Sequence, residues 1–206
     1  MIFITYLTDL KDVGAENRST HYMAHQMRSY MLQSKFNIPA SAYISALQRN
    51  RVDYVVTVPD WVQLALHCQL QAGVEGLEVV QCCNEDQAVC VATGLRIGGK
   101  NPVLIVQNQG IYGCVNSIRA LGLDAQQPLV FMVGQFGREF ANFGESPSLS
   151  RRNTVRYLEP VLDALDVRHW RLEDESDLPK IDQAFSYAQS TSRPAALIVG
   201  APTGWL

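Results

Sequence analysis

The stretch LEVVQCCNEDQAVCVATGLRIGGKNPVLIVQNQG, residues 77–110, constrains the fold more than any other part of the chain. It begins with a short apolar run rich in valine, which is typical of a strand buried on both faces. Asn84 then suits a helix N-cap, and Glu85 suits the first helical turn, where the helix dipole favours negative charge. Apolar residues at helical spacing continue to Gly98 and Gly99, which end the helix. The stretch therefore predicts a strand followed by a helix.

A second buried strand, NPVLIVQN, follows this helix, and Asn108, Gln109 and Gly110 are predicted to leave it as a turn. The sequence thus predicts a βαβ unit in which the two strands are adjacent and parallel, with Glu85 and this turn both at their carboxyl ends. Ligands bind at that edge of an open α/β sheet. Taken alone, Glu85 is also typical of an exposed first-turn charge that only stabilises the helix.

The rest of the chain repeats the alternation of predicted strands and helices. Further strands are expected at 52–59, 128–135, 167–173 and 194–202. The sequence thus predicts a doubly wound, six-stranded parallel sheet with helices on both faces, forming one domain over residues 39–206.

Residues 1–38 are predicted to form an extended arm and an amphipathic helix. The helix carries an apolar face rich in Met and Tyr, formed by Met23, Met27, Tyr30 and Met31. That face packs either on its own domain or on a partner subunit.

Composition excludes several classes of protein. The 206 residues are 47% hydrophobic and 18% charged, as in an ordinary globular domain. The net charge of -3 and the lack of a long basic run argue against a nucleic-acid partner. The apolar start MIFITYL is too short to span a membrane and lacks the features of a signal peptide, so a cytoplasmic protein is expected. The five cysteines form no CxxC pair and are expected to be reduced core residues, and no metal site is predicted.

Several motifs in unbroken order then carry a resemblance to a known family. They are VVTVPD at 55–60, NEDQAV at 84–89, QNQG at 107–110, Asn116, PLVFMVGQ at 128–135 and VLDAL at 161–165. Together they resemble the pyrimidine-binding (PYR) domain of thiamine-diphosphate enzymes, with the phosphonopyruvate and sulfopyruvate decarboxylases most alike. The resemblance covers roughly residues 39 to 202.

The resemblance implies that Glu85 hydrogen-bonds N1′ of the cofactor's aminopyrimidine. An acid there stabilises the tautomer whose 4′-imine removes the proton from C2 of the thiazolium ring. It also implies that Asn108, Gln109, Gly110 and Asn116 contact the cofactor.

Asp60 follows Pro59 at the end of a predicted strand, where the resembling decarboxylases carry a turn close to the reacting carbon. A carboxylate there would orient a 2-oxo acid or manage a proton; the alternative is a plain helix N-cap. Tyr112 stands where the family usually has a residue without a side chain, which narrows the expected substrate pocket.

The long loop after the PLVFMVGQ strand departs from the family pattern. The resembling phosphonopyruvate enzymes have an Arg at the position of Phe136 and a His further along, and both are missing here. Arg138, Arg151 or Arg152 would take over anion binding, unless they are solvated charges. Phe136, Phe140 and Phe143 favour a more apolar substrate tail instead.

The resemblance therefore implies a PYR-domain (alpha) subunit of a two-chain, thiamine-diphosphate-dependent 2-oxo acid decarboxylase. A carboligase subunit and a non-catalytic regulatory subunit are the alternatives. The family holds the diphosphate through Mg²⁺ on a second domain, the PP domain, which begins with Gly-Asp-Gly, and this sequence contains no Gly-Asp-Gly. The cofactor is then expected to lie between this chain and a PP-domain (beta) subunit, with PYR domains also pairing with one another.

Overall fold

The computed structural model describes residues 36–205 and contains one sheet of six parallel strands. These are β1 Tyr54–Thr57, β2 Glu78–Gln81, β3 Pro102–Gln107, β4 Val130–Gly134, β5 Arg168–Leu172 and β6 Ala195–Val199. Their order across the sheet is β2-β1-β3-β4-β6-β5, and every neighbouring pair is parallel. The predicted doubly wound α/β fold is confirmed.

Helices connect the strands. They are α1 Ala40–Arg49, α2 Leu64–Gln71, α3 Glu85–Ile97, α4 Asn108–Gly113, α5 Val115–Ser117, α6 Asn153–Arg156, α7 Leu158–Ala164 and α8 Pro179–Thr191. A π-helical segment, Ile118–Asp124, continues α5.

Side chains alternate between two cores, one on each face of the sheet. On one face, Val55 and Val103 pack with α1, α2 and α8. On the other face, Val56 and Leu104 pack with α3, α4 and α7. This alternation follows from the two-residue period of a strand, and it places helices on both faces as predicted.

Three details of the predicted βαβ unit are wrong. β2 is an edge strand, with Glu78 and Gln81 exposed, because it pairs with β1 alone. β2 and β3 are also not adjacent, since β1 lies between them and pairs with both. Finally, Asn108, Gln109 and Gly110 form the first turn of α4 rather than an irregular turn.

The chain between residues 153 and 164 forms two helices, α6 and α7, which are divided at Tyr157. Pro160 lies in the first turn of α7 and has no N–H to continue the hydrogen bonding of α6, which accounts for the division. Near the other end of the described chain, Ala40 N donates to Gly204 O and Gly204 N donates to Ile38 O, each at 2.9 Å.

The predicted arm and amphipathic helix, up to residue 35, lie outside the described residues. Within residues 36–205, no helix has the length and apolar character needed to cross a membrane. The same residues hold no group of three or more His, Cys, Asp or Glu placed to bind a metal ion. All five cysteines are free thiols, but the prediction that they are core residues is wrong for Cys83 and Cys90, which are exposed.

Candidate active site

The strand order defines a crevice at the carboxyl edge of the sheet. From β1 the chain crosses to β2 on one side, whereas from β3 it crosses to β4 on the other. The segments that follow β1 and β3 therefore diverge and leave a crevice at the carboxyl ends of these two strands. Open α/β sheets bind ligands in such a crevice. The segments that begin at Asp60, Glu85, Asn108 and Gln135 all start at this edge.

Glu85 opens α3 and is held there by local hydrogen bonds. Asn84 Oδ1 accepts from Gln87 N at 2.8 Å, and Gln87 Oε1 accepts from Cys83 N at 2.8 Å. This reciprocal cap fixes the first turn and confirms Asn84 as the N-cap. The Glu85 side chain is half-buried, and no group in the described part of the chain donates a hydrogen bond to its carboxylate.

The Glu85 side chain packs directly against Gly110, which we call its glycine seat. A Cβ atom on Gly110 would overlap with Cγ, Cδ and Oε1 of Glu85. The carboxyl group therefore lies directly against the backbone of the first turn of α4. This turn follows β3, whereas Glu85 follows β2, and β1 lies between these two strands. Any residue other than glycine at position 110 would push Glu85 away.

Asn108 and Tyr112 clamp the same turn from beneath. Asn108 is fully buried, and its Nδ2 donates to Phe136 O at 3.1 Å and to Thr154 O at 3.0 Å. The Tyr112 hydroxyl donates to Thr154 O at 2.8 Å. Asn108 thus ties α4 to the loop after β4 and to α6, and Tyr112 ties it to α6. Within residues 36–205, Asn108 Oδ1 is a buried acceptor with no partner.

Gln109 and Asn116 lie on the exposed side of this helical region. Gln109 Oε1 accepts from Gln107 Nε2 at 2.5 Å, and Asn116 Oδ1 accepts from Arg119 at 3.0 Å. The structure thus separates the predicted cofactor contacts. Glu85, Gln109 and Asn116 are at least partly exposed, whereas Asn108 supports the turn from inside.

Asp60 is turned down onto the sheet, with only 1% of its surface exposed. Its Oδ1 accepts from Val62 N at 3.0 Å and its Oδ2 accepts from Gln63 Nε2 at 2.9 Å. A Cβ atom on Gly134 would overlap with this carboxyl group. The alternative prediction that Asp60 caps α2 is wrong, since α2 begins at Leu64 and its N-cap is Gln63.

Burial raises the pKa of Asp60 to about 7, and the nearby charge of Glu85 adds to the rise. The buried His67 accepts from Asp60 N through Nε2 at 3.1 Å, and burial lowers the pKa of this imidazole to about 4. At neutral pH His67 is therefore a neutral acceptor, and Asp60 is a carboxyl group poised between its two protonation states.

Arg138 has all five guanidinium N–H groups engaged by protein acceptors. Its Nε donates to Asn142 Oδ1, its Nη1 to Glu173 and Gln135, and its Nη2 to the carbonyls of Asn142 and Glu145. The side chain is 1% exposed and forms a buried ion pair with Glu173. Arg138 therefore folds the loop after β4 and has no N–H left for a substrate anion. Arg151 is exposed, with only its backbone N–H held, by Glu139 at 2.9 Å.

An aromatic groove opens at the same edge. Its apolar walls are Trp61, Val62, Phe136, Phe140, Phe143 and Pro202, and it encloses about 160 Å³. The ring of Phe143 packs edge-on against Phe140, with centroids 5.3 Å apart, and against Phe36 at 6.1 Å. The three phenylalanines that were predicted to receive an apolar tail are thus brought together.

Sequence reasoning missed Gln63, His67 and Gln135, which are buried polar residues at this edge. Gln63 and His67 follow Asp60 at three and seven residues, which is helical spacing, and this spacing was the only available signal. Gln135 directly follows a fully buried strand, where a polar residue has to find a partner at the sheet edge.

These features define a ligand-binding α/β domain with an acid presented at a strand switch point. Residues 39–166 match the family model for the N-terminal TPP binding domain of thiamine pyrophosphate enzymes, thiamine pyrophosphate being another name for thiamine diphosphate. The chain belongs to this family.

Comparison with characterised proteins adds detail. The alpha subunit of sulfopyruvate decarboxylase from Methanocaldococcus jannaschii is 23% identical over 161 residues, which cover 78% of this chain and 92% of that subunit. Among solved structures, a Mycobacterium smegmatis protein assigned as a thiamin diphosphate-dependent enzyme superposes with a TM-score of 0.60 and 19% identity, over 82% of this chain.

The thiamine diphosphate-dependent 4-hydroxybenzoylformate decarboxylase of Rhodococcus jostii RHA1 superposes with a TM-score of 0.58 and 17% identity, over 81% of this chain. This chain spans only 31% and 30% of the two solved proteins, about a third of their length. These structures support the fold.

The residues present fit the pyrimidine half of thiamine diphosphate. A half-buried carboxylate without a protein donor suits a ring nitrogen that shares a proton. The glycine seat keeps this carboxylate at the edge where ligands approach. No comparable set of acidic ligands for Mg²⁺ occurs within the described residues.

Proposed function

We propose that this chain is the PYR-domain, alpha-type subunit of a two-chain, thiamine-diphosphate-dependent 2-oxo acid decarboxylase. The observation that carries the proposal is the Glu85 carboxylate seated on Gly110, inside the region that matches the family and without a donor among the described residues. A charge that served only the helix start would not require a glycine beneath it. A cytoplasmic location is part of the proposal.

When bound, thiamine diphosphate supplies the electron sink for loss of carbon dioxide from a 2-oxo acid. Glu85 would hold a proton at N1′ of the pyrimidine, Gly110 provides the space for its side chain, and the exposed Gln109 and Asn116 would contact the cofactor. Asp60, whose pKa is raised to about 7 by burial, exchanges a proton close to the reacting carbon.

The similarity to a protein named as an alpha subunit supports a separate partner chain. The two solved structures contain the matching region as about a third of a longer chain, whereas the sulfopyruvate decarboxylase subunit is matched over 92% of its length. In the proposed assembly a PP-domain, beta-type subunit holds the diphosphate through Mg²⁺, and PYR domains pair about a two-fold axis.

The test is calorimetric titration of the pure chain with thiamine diphosphate and Mg²⁺, alone and after mixing with its partner chain. We expect the chain alone to bind the cofactor weakly or not at all and to release no carbon dioxide. After mixing, we expect both tight cofactor binding and carbon dioxide release. Mass measurement excludes a co-purified partner. Tight, magnesium-dependent binding by the chain alone would refute the half-site, and a product with a new carbon–carbon bond would identify a carboligase.

A further inference from the structure

We propose that the aromatic groove receives the tail of the substrate and selects a planar, apolar tail that carries a hydrogen-bond acceptor. This inference rests on the proposed function, because it names the class of 2-oxo acid that the site takes. Its basis is the position, size, charge and hydrogen bonding of the groove.

The groove lies beside the acid assigned to the reacting carbon. Trp61 directly follows Asp60 in the chain. Gln135, on the opposite wall, directly follows Gly134, the glycine that the Asp60 carboxyl group covers. A 2-oxo acid that places its carbonyl near Asp60 therefore points its tail into the groove.

The size of the groove fits one ring. Its volume of about 160 Å³ compares with the apolar cavity of about 150 Å³ that binds benzene in another protein. Whole ligand sites occupy about 300–1,000 Å³, so this space suits a tail and not a complete ligand. The walls include four aromatic side chains, which stack well on a planar group.

The charge of the groove disfavours an anionic tail. Arg138 lines it, but every guanidinium N–H is engaged and its charge is paired with Glu173. A sulfonate or phosphonate would lose its hydration among aromatic rings and gain no free donor from this arginine. This separates the present chain from a binder of compact, doubly charged 2-oxo acids.

Gln135 supplies the specific hydrogen bond. Only 1% of its surface is exposed, and its Oε1 accepts from Arg138 Nη1 at 3.3 Å, which fixes the orientation of the amide. Its Nε2 is then a buried donor with no acceptor among residues 36–205. Buried donors are costly when unpaired, and an ether, hydroxyl or carbonyl oxygen on the tail would satisfy this one.

Binding is tested on the full chain with anisole, which has an ether acceptor, and with ethylbenzene, which has nearly the same shape and none. Titrations follow NMR shifts of the Trp61 indole. We expect saturable anisole binding that is about tenfold weaker in Phe136→Ala and unchanged in Leu149→Ala, an exposed apolar control in the same loop. In Gln135→Met, anisole should bind no better than ethylbenzene.

Absence of saturable anisole binding, or an equal loss in Leu149→Ala, would overturn the proposal. Circular dichroism of each variant separates loss of the groove from loss of the fold.

The second arm uses the assembled enzyme with 4-methoxybenzoylformate and sulfopyruvate. A higher kcat/KM for the aromatic acid, reduced by Phe136→Ala, supports the proposal. A preference for sulfopyruvate overturns it and leaves the decarboxylase function standing. Anisole binding without turnover of any 2-oxo acid overturns the proposed function and, with it, the assignment of the groove to a substrate tail.

Discussion

Glu85 and Arg138 are both charged residues at the carboxyl edge of one sheet, and both stood as candidates for ligand binding. They differ in the hydrogen bonds that the protein has already made to them. Glu85 has no donor among the described residues and rests on the bare backbone of Gly110. Arg138 has five N–H groups and acceptors for all of them.

If Glu85 binds the cofactor as proposed, unused hydrogen-bonding capacity, and not residue type, separates a group that contacts a ligand from one that stabilises a loop. A buried arginine whose donors are all paired contributes to the folded structure. A partly buried carboxylate without a protein donor keeps its acceptor capacity for water or a ligand. Five substitutions test this distinction.

The largest effect is expected at Glu85. In Glu85→Gln the amide cannot exchange a proton with N1′, so proton exchange at C2 of the cofactor in the assembled enzyme should slow about a thousandfold. The fold should be intact. Asp86→Asn is the matched control, because it removes a neighbouring charge from the same helical turn. A near-normal exchange rate in Glu85→Gln would mean that Glu85 only stabilises the helix start.

Arg138→Met should lower the stability of the folded protein rather than slow the exchange of a proton. Breaking the buried pair leaves Glu173 without its partner, so the free energy of unfolding should fall by at least about 3 kcal/mol. Arg151→Met, in an exposed position of the same loop, should change it by less than about 0.5 kcal/mol. Urea unfolding gives both values. If Arg138→Met unfolds like the parent but loses substrate affinity, the comparison with Glu85 fails.

Asp60 is an intermediate case, since both carboxyl oxygens accept hydrogen bonds but its proton is exchangeable. Its folded-state pKa of about 7 lies above the ordinary value of 3.8, so the folded state binds more protons and stability falls as pH rises between about 4 and 7. The contribution of His67 to the pH dependence of stability has the opposite sign. Its pKa is lowered from 6.5 to about 4, so stability rises with pH over that window.

The two contributions oppose each other from about pH 4 to 6.5. In Asp60→Asn the His67 contribution is no longer opposed, and stability relative to the parent should rise by about 1.4 kcal/mol per pH unit. His67→Gln should show the reverse slope. Urea midpoints at pH 4.5, 5.5 and 6.5 measure both, and curves parallel to the parent would show that Asp60 does not carry the buried proton.

The smallest effect is expected at Tyr112. Tyr112→Phe removes the hydrogen bond to Thr154 O and should cost about 1 kcal/mol of unfolding free energy. Tyr157→Phe, at an exposed tyrosine, is the control. A large loss of substrate binding with unchanged stability would place the Tyr112 hydroxyl in the pocket rather than in the clamp.

Local patterns in the sequence predicted much of the fold. Valine-rich runs located the strands, and Asn84 located the start of α3, because burial and capping depend on near neighbours in the chain. The position of Glu85 at a ligand edge followed from that start. The adjacency of β2 and β3 was wrong, because nothing local to either strand shows that β1 lies between them.

The roles of Arg138 and Asp60 could not be predicted for a similar reason. The ion-pair partner of Arg138 is Glu173, which is 35 residues away, and the carboxyl group of Asp60 fits only because Gly134 lies beneath it. Such contacts join segments that are distant in sequence. A charged side chain in a loop looks the same in a sequence whether the fold uses it or exposes it.

The edge position of β2 has a consequence for motion. This four-residue strand has one neighbour, β1, and leads directly into the turn that carries Glu85. Edge segments open locally at a lower free energy than the central strands, without global unfolding. Backbone amide exchange should therefore be faster in β2 than in β3, and each local opening would lift the acid off its glycine seat. The reactivity of the site would then depend on the lifetime of one short, singly paired strand.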